Sequence, residues 1–260
     1  MSEWFLKEAE KFLDEARECG VNAFTITGGE PMLHRNFMDI LTGIYERGMY
    51  VEEINTNGYF LRQGVLDQMK ERGIRPLMKI SFDGIGHHDW LRGRKGAEED
   101  AIRAIRLCRA NDFPVMIQTN VHRHNLDTLL ETAKLMDSLG VWKMRIIRTS
   151  EAPRWKENAG DAALGLTEYY DRMLEFASAY MKTGCRMDVI IWQFLRLYPV
   201  SGSYGMIPVL YREKEYRDLL PVCKGVRGMV AVAANGNIFP CHQLSGTYEL
   251  NGDIPGNVKK

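Results

Sequence analysis

The sequence has no long apolar run, no excess of charge and few cysteines. Its longest apolar run, 229–234, is far shorter than the roughly 20 residues that span a bilayer. Thirty-four basic side chains balance thirty-four acidic ones, so no net charge draws the 260-residue chain toward nucleic acid or an anionic membrane. The first residues are charged where a signal peptide would be apolar. We therefore expect a soluble, cytoplasmic protein with no nucleic-acid or membrane partner.

The cysteines indicate the cellular compartment, and the missing motifs exclude several enzyme families. Five cysteines at wide spacing are typical of a reducing compartment rather than of a disulfide framework. Cys19 and Cys108 stand alone in predicted helices, and we expect both to lie in the core. A Walker loop, a Gly-x-Ser-x-Gly motif and a dinucleotide fingerprint are all absent from the sequence.

A helix, a glycine and an apolar strand recur along the chain. Glycines at Gly20, Gly48, Gly73 and Gly140 fit the left-handed cap that follows a last helical turn. The spacing is close to the roughly 30 residues of a βα unit and predicts five parallel strands. The predicted strands end near residues 27, 56, 82, 121 and 148. The repeat fades into a predicted loop over 150–166, so an eight-stranded barrel does not fit.

The pattern changes from residue 184 onward. An apolar segment is followed by a predicted loop over 201–205, and residues 229–240 predict a hairpin that turns at Asn235-Gly236. We therefore expect three parts: the βα repeat over 1–183, a connecting segment over 184–220 and a smaller module over 221–260.

Each predicted strand ends in a polar segment, and parallel α/β folds bind ligands at that edge. Any one segment alone is an ordinary turn, but five in phase indicate a site. The segments are Thr27-Gly-Gly-Glu-Pro31, Asn55-Thr-Asn-Gly58, Ser81-Phe-Asp-Gly84, Gln118-Thr-Asn-Val-His122 and Arg145-Ile-Ile-Arg-Thr-Ser150.

These motifs, with His88-Asp-Trp-Leu-Arg92, resemble the radical S-adenosylmethionine (radical SAM) enzymes over residues 21–148. The resemblance implies an α/β fold with a partial barrel of six βα units, here without its first strand. It also implies that the backbone of the glycine motif holds the amino group of SAM, that a serine and an arginine face its carboxylate, and that further polar side chains lie near its ribose and adenine. The implied SAM-binding residues are Gly28, Gly29, Glu30, Pro31, Asn57, Ser81, Asp83, Arg92, Asn120 and Arg148.

A second resemblance lies near the C-terminus. Cys223 and Cys241, with the Asn235-Gly236 turn between them, resemble the opening of a SPASM domain. That extension of radical SAM proteins binds auxiliary [4Fe–4S] clusters through cysteine thiolates. The resemblance implies Cys223 and Cys241 as iron ligands; two lone buried cysteines are the alternative.

The resemblance is incomplete, because the chain has no Cys-x3-Cys-x2-Cys motif for the SAM-binding [4Fe–4S] cluster. We expect the sequence to be an internal piece of a longer enzyme that does not cleave SAM by itself. The implied activity is reductive cleavage of SAM to a 5′-deoxyadenosyl radical, which abstracts hydrogen from a peptide or protein. A reducing partner such as ferredoxin or flavodoxin is also implied.

Other interpretations remain open. The alternative to an enzyme is a non-catalytic remnant that binds peptide or SAM without turnover. A phosphate site at Gly28-Gly29 is disfavoured, because no basic residue accompanies the glycines closely. A metal site formed by His87, His88, Asp89, His122 and His124 is disfavoured, because adjacent residues of a strand point to different faces.

Overall fold

The computed structural model describes residues 6–149, 153–208, 228–241, 252 and 256–258. Contacts divide the chain into two compact units. The first unit comprises 1–52, 69–74 and 211–260, and the second comprises 53–68 and 75–210. Within the described residues, no helix is both long and apolar enough to cross a membrane.

The described residues form eight α-helices, which are amphipathic where they cover the sheet. In the helix over 97–110, three acidic residues occupy the first turn, and Ala101, Ile105 and Cys108 are buried along one stripe. The helices are α1 (Leu6–Glu18), α2 (Phe37–Glu46), α3 (Gln63–Glu71), α4 (His88–Arg92), α5 (Ala97–Ala110), α6 (Leu129–Ser138), α7 (Pro153–Asn158) and α8 (Leu166–Tyr180). Short 3-10 helices cover Pro31–Leu33, Arg123–Asn125 and Gly160–Ala162.

Eight strands lie side by side in chain order in one sheet. The strands are β1 (Ala23–Ile26), β2 (Tyr50–Thr56), β3 (Leu77–Ser81), β4 (Val115–Val121), β5 (Lys143–Arg148), β6 (Asp188–Ile191), β7 (Leu195–Val200) and β8 (Ser203–Pro208). Pairing is parallel from β2 through β6 and antiparallel from β6 through β8. The predicted α/β class is confirmed, and each of the five predicted strand ends lies within one residue of the observed end.

The two faces of this sheet differ in chemistry. Register partners in neighbouring strands share a face, and successive residues alternate between faces. We call one side the apolar face; it is lined by Ile54, Ile80, Ile117, Met144 and Val189, all with no exposed surface. Helix α5 contacts β3 and β4. We call the other side the polar face; it carries Glu53, Asn55, Lys79, Ser81, Gln118, Asn120, Lys143, Arg145 and Asp188.

Three local predictions are wrong. The predicted loop over 201–205 is wrong from Ser203 onward, where β8 begins, because Gly202 (φ +75°) makes the turn and Gly205 leaves room for the Tyr198 ring opposite. The predicted loop over 150–166 contains the six-residue helix α7, which is too short to show a periodic apolar pattern. Cys19 is exposed, because α1 ends at Glu18 before the residue can join the buried stripe.

The first unit also contains a small antiparallel sheet of β9 (Ala231–Val232), β10 (Asn237–Phe239) and β11 (Gly256–Asn257). Val232 pairs with Ile238, and the Gly236 N–H donates to the Ala233 carbonyl at 2.8 Å. The predicted hairpin and its Asn-Gly turn are therefore confirmed.

Candidate functional site

Asp83 is the centre of a hydrogen-bonded cluster at the carboxyl end of β3. Its side chain is fully buried, two residues beyond the end of the strand. Oδ2 accepts from Arg92 Nε at 2.8 Å and lies 3.0 Å from His88 Nδ1. Oδ1 accepts from the backbone N–H and the side-chain amide of Asn120, at 2.9 and 3.0 Å. The carboxylate therefore ties the loop after β3 to helix α4 and to strand β4.

The charge on Asp83 is stabilised by this cluster. Burial alone would raise the pKa of the carboxyl group, but the His88 contact, the Arg92 charge and the Asn120 backbone N–H together hold the pKa below its usual value. A buried carboxylate is tolerated where it is paired and hydrogen-bonded in this way. Asp83 therefore remains an anion that orients Arg92.

Arg92 ends helix α4, directly before Gly93 in the left-handed conformation (φ +62°). Its side chain is 31% exposed, and only Nε is engaged with Asp83. In the described part of the chain, no hydrogen bond or ion pair occupies the two terminal nitrogens of the guanidinium. A guanidinium held from one side offers those nitrogens to a carboxylate as a two-pronged donor.

Ser81 and Asn120 lie on the polar face of β3 and β4, and Asn120 shares the Asp83 carboxylate with Arg92. Ser81 is the last residue of β3 and pairs in register with Gln118 of β4. Asn120 follows two residues later on the same face as Gln118 and bonds to Asp83. Asn57 belongs to the second unit too, and its Oδ1 accepts from the Tyr59 N–H at 2.8 Å.

The turn after β2 requires its glycine. Gly58 has a φ of +79°, and a Cβ there would lie 2.8 Å from the Ala104 Cβ of α5. Any other residue would be strained and would push α5 away. Close packing against α5 therefore explains the glycine of the Thr56-Asn-Gly58 segment, which also contains the candidate site residue Asn57.

Arg148 has a different environment from the other candidates. Register pairs it with Val121, whereas Asn120 pairs with Ile147. Its Nη1 donates to the Leu164 carbonyl at 2.9 Å. The structure therefore does not bring Arg148 together with the Asp83 cluster by any described contact.

The glycine motif lies in the first unit, after β1. Gly28 has a φ of +136°, and a Cβ at Gly28 or Gly29 would meet no atom of the described residues within 4 Å. Glu30 Oε1 accepts from the Met32 N–H at 3.4 Å, and Pro31 is buried at the start of its 3-10 helix. The backbone of the two glycines is therefore open to a ligand, as their absence of side chains predicts.

Residues 3–136, just over half of the chain, match the family model described as the Radical SAM superfamily. The chain belongs to this superfamily.

Curated relatives extend the likeness. The chain is 26% identical over 243 residues to the AdoMet-dependent heme synthase of Methanosarcina barkeri, which covers 91% of this chain and 67% of that protein. It is 24% identical over 237 residues to the PqqA peptide cyclase of Granulibacter bethesdensis, covering 89% of this chain and 58% of the cyclase. The chain thus spans about three fifths to two thirds of the length of these relatives.

Solved structures agree on the fold. Streptococcus suis SuiB superposes with a TM-score of 0.71 at 13% identity, covering 98% of this chain and 57% of SuiB. The anSMEcpe structure with bound AdoMet and Kp18Cys peptide gives a TM-score of 0.67 at 16% identity, covering 98% of this chain and 68% of that protein. The mostly parallel sheet is therefore of the radical SAM type, as the resemblance implied.

Each unit has described residues of the kind that SAM needs, whereas the described side chains offer no set of ligands for an iron–sulfur cluster. Arg92 and Ser81 offer donors for a carboxylate, and Gly28 and Gly29 offer open backbone. No group of three or more His, Cys, Asp or Glu side chains that could hold a metal ion occurs among the described residues. Cys241 is a half-buried free thiol, and Cys223 lies outside the described residues. The described cysteines alone do not form a cluster site.

The histidine-rich region holds a feature that the sequence did not reveal. His122 has no exposed surface, and neither ring nitrogen has a hydrogen-bond partner among the residues that the structure describes. Its ring lies 4.9 Å from Trp90 and 6.0 Å from Trp155, between ring centroids. Burial lowers the pKa of His122 to about 4, so the ring is neutral at pH 7. It therefore packs as an aromatic side chain.

Arg145 was also missed as a candidate, although its segment was noted. The sequence signal that could have found it is that polar residues alternate with apolar ones in three strands. These are Lys79 and Ser81 in β3, Gln118 and Asn120 in β4, and Lys143 and Arg145 in β5. Alternation at period two places them all on one face.

Proposed function

We propose that this chain carries the SAM-binding region of a radical SAM enzyme that modifies a peptide or protein. The observation that carries the proposal is the buried Asp83 cluster. It presents the Arg92 guanidinium, whose two terminal nitrogens have no hydrogen bond or ion pair to the described residues, at the carboxyl end of the sheet. The family membership supplies the reaction class, which is reductive cleavage of SAM.

The residues take distinct parts in binding. Arg92 and Ser81 hold the carboxylate of SAM, and Asp83 positions Arg92 without touching the ligand. The backbone of Gly28, Gly29 and Glu30 binds its amino group, with Pro31 fixing the turn. Near the ribose and adenine we place Asn57, Asn120 and Arg148. In this family, SAM supplies the group that abstracts hydrogen, and the protein supplies binding and exclusion of water.

A peptide substrate is supported by the relatives. One is a PqqA peptide cyclase, and SuiB has been solved with its precursor peptide SuiA. A peptide also bound anSMEcpe. An auxiliary cluster at Cys223 and Cys241, a ferredoxin or flavodoxin as reducing partner, a cytoplasmic location and domain boundaries at 183 and 220 stay predictions.

SAM binding tests the proposal directly. Titration calorimetry of the intact native protein is expected to show one SAM site, and Arg92→Gln is expected to weaken it at least about tenfold, because a charge-assisted hydrogen bond is lost. Arg106→Gln removes the same charge from an exposed position on α5 and serves as the matched control. Equal affinities for SAM in all three proteins would exclude Arg92 from the site.

Turnover separates the enzyme from a non-catalytic remnant. The native gene product, anaerobic and reduced with dithionite, is expected to release 5′-deoxyadenosine from SAM, as detected by mass spectrometry. SAM binding without any 5′-deoxyadenosine would favour the remnant instead.

A further inference from the structure

Arg145 lies in the middle of the polar face without a hydrogen-bond partner among the described residues. It pairs in register with Gln118 of β4 and Ile190 of β6. Among the described residues its guanidinium makes no hydrogen bond or ion pair, and its Nε is buried without an acceptor. A buried donor on a charged group is costly when it is unpaired. Such a group is expected where a ligand supplies the missing acceptor.

The other charged side chains of the polar face lie in ion pairs. Lys79 Nζ lies 2.5 Å from Glu53 Oε1, so the carboxylate that is electrostatically coupled to Arg145 has its own partner. Asp188 binds Arg196 at 2.6 Å and lies 3.6 Å from Lys143. The face thus carries more cations than anions. Its cations are Lys79, Lys143, Arg145 and Arg196, and its anions are Glu53 and Asp188.

Trp192 holds the Arg145 guanidinium in place. The guanidinium carbon lies 4.7 Å from the centre of the Trp192 ring, which is 39% exposed. Trp192 directly follows β6, so the stacked pair lies toward the edge of the sheet where the SAM site is proposed. Stacking fixes the plane of a guanidinium and leaves its edge free for a carboxylate.

We propose that Arg145 binds a carboxylate of the peptide that the enzyme modifies, an inference that rests on the proposed function. Ser81 occupies the same register row two strands away, about 10 Å from Arg145 at the usual strand spacing. SAM has a single carboxylate, which Ser81 and Arg92 bind. The second guanidinium therefore serves a second carboxylate, which lies beside SAM within reach of the chemistry.

Small probes test this site without knowledge of the whole peptide. The probes are acetyl-Glu-N-methylamide, with a side-chain carboxylate, acetyl-Ala, with a C-terminal carboxylate, and acetyl-Gln-N-methylamide, with none. Each is titrated into the intact protein, without SAM, while the arginine Nε–H signals are followed by ¹H–¹⁵N NMR. The Arg145 signal is assigned by its loss in Arg145→Lys.

At least one carboxylate probe is expected to shift the Arg145 signal and to bind about tenfold or more tightly than the Gln probe, since its hydrogen bonds are charge-assisted. The better of the two identifies the source of the carboxylate. Arg145→Gln is expected to remove the preference, and the exposed control Arg106→Gln to keep it.

Three results would overturn the assignment. The first is equal affinity for the charged and neutral probes, and the second is a preference for a carboxylate probe that survives Arg145→Gln. The third is a tenfold loss of SAM affinity in Arg145→Gln, which would mean that Arg145 binds the carboxylate of SAM instead. Failure of the wild-type protein to bind SAM would overturn the proposed function alone, because the probe titration contains no SAM.

Discussion

The apolar and polar faces of the sheet are made by alternate residues of the same strands. On the apolar face, Ile54, Ile80 and Ile117 have no exposed surface. On the polar face, ion pairs such as Glu53–Lys79 are shielded from water, and Arg145 has no partner among the described residues. Burying charge gains little stability, whereas burying apolar surface gains much. The difference indicates that the apolar face holds the fold and that the polar face serves binding.

The largest effect is expected when a substitution on the apolar face is compared with one at the next residue of β4, on the polar face. Ile117→Ala removes a fully buried side chain from the apolar face and is expected to lower the free energy of unfolding by about 4 kcal/mol. Gln118→Ala, one residue later on the polar face, is expected to cost less than about 1 kcal/mol. Urea denaturation measures both. A larger loss for Gln118→Ala would reverse the roles assigned to the faces.

Asp83→Asn is expected to have the next largest effect. The variant keeps the shape of the side chain but leaves Arg92 and His88 without their anion, so we expect a loss of about 3 kcal/mol together with weaker SAM binding. Denaturation and calorimetry measure the two losses. The exposed Asp127, paired with Arg172, gives the matched control Asp127→Asn, for which no measurable change is expected. Wild-type stability in Asp83→Asn would show that the cluster is dispensable.

The buried ring of His122 predicts a pH dependence. Its pKa is lowered from 6.5 to about 4 by burial, so the unfolded state binds a proton in this range that the folded state does not. Stability therefore falls as the pH drops, by about 2 kcal/mol from pH 7.5 to pH 5. His122→Phe removes two unpaired nitrogens and is expected to flatten this part of the curve, as measured by denaturation at several pH values.

His124→Phe is the control for this experiment, since it changes a neighbouring ring, 5.8 Å away, and keeps His122. The fall in stability toward pH 5 should persist in that variant. An unchanged pH profile in His122→Phe would mean that another group causes the fall.

The smallest effect is expected from removing both members of an ion pair. Glu53→Leu combined with Lys79→Met replaces a shielded pair with apolar side chains, and the free energy of unfolding is expected to change by less than about 1 kcal/mol. Lys79→Met alone leaves the Glu53 carboxylate uncompensated and is the harsher control. If the double variant loses more than the single one, the polar face contributes to stability and the comparison fails.

The strands from β1 to β5 were predictable because each has a local apolar run and four of them follow a glycine that ends the preceding helix. The strands β6 to β8 were not predictable, because their segments do not repeat the pattern of helix, glycine and strand. The sequence predicts a loop over 201–205, where the structure has the start of β8. A lone cysteine in a predicted helix suggests a core position for Cys19, but the helix ends at Glu18 and Cys19 is exposed.

For the candidate site too, some features were predictable from the sequence and others were not. Motifs in the sequence indicated Ser81, Asp83 and Arg92 through resemblance, and the structure brings Asp83 and Arg92 together with Asn120. Resemblance also placed Arg148 near the ribose and adenine of SAM, and in the structure its Nη1 donates to the Leu164 carbonyl. A side chain's direction at a strand end depends on register, which short motifs do not contain.

By itself, the sequence determined the order of the βα units, the polar segments at their ends and membership of the radical SAM superfamily, because these depend on local periodicity and short motifs. Only the tertiary structure decided which charges find partners. Glu53 and Lys79 lie 26 residues apart, and Asp83 and Asn120 lie 37 apart. Strand pairing closes those distances, and it leaves Arg145 Nε and both ring nitrogens of His122 without hydrogen-bond partners among the described residues.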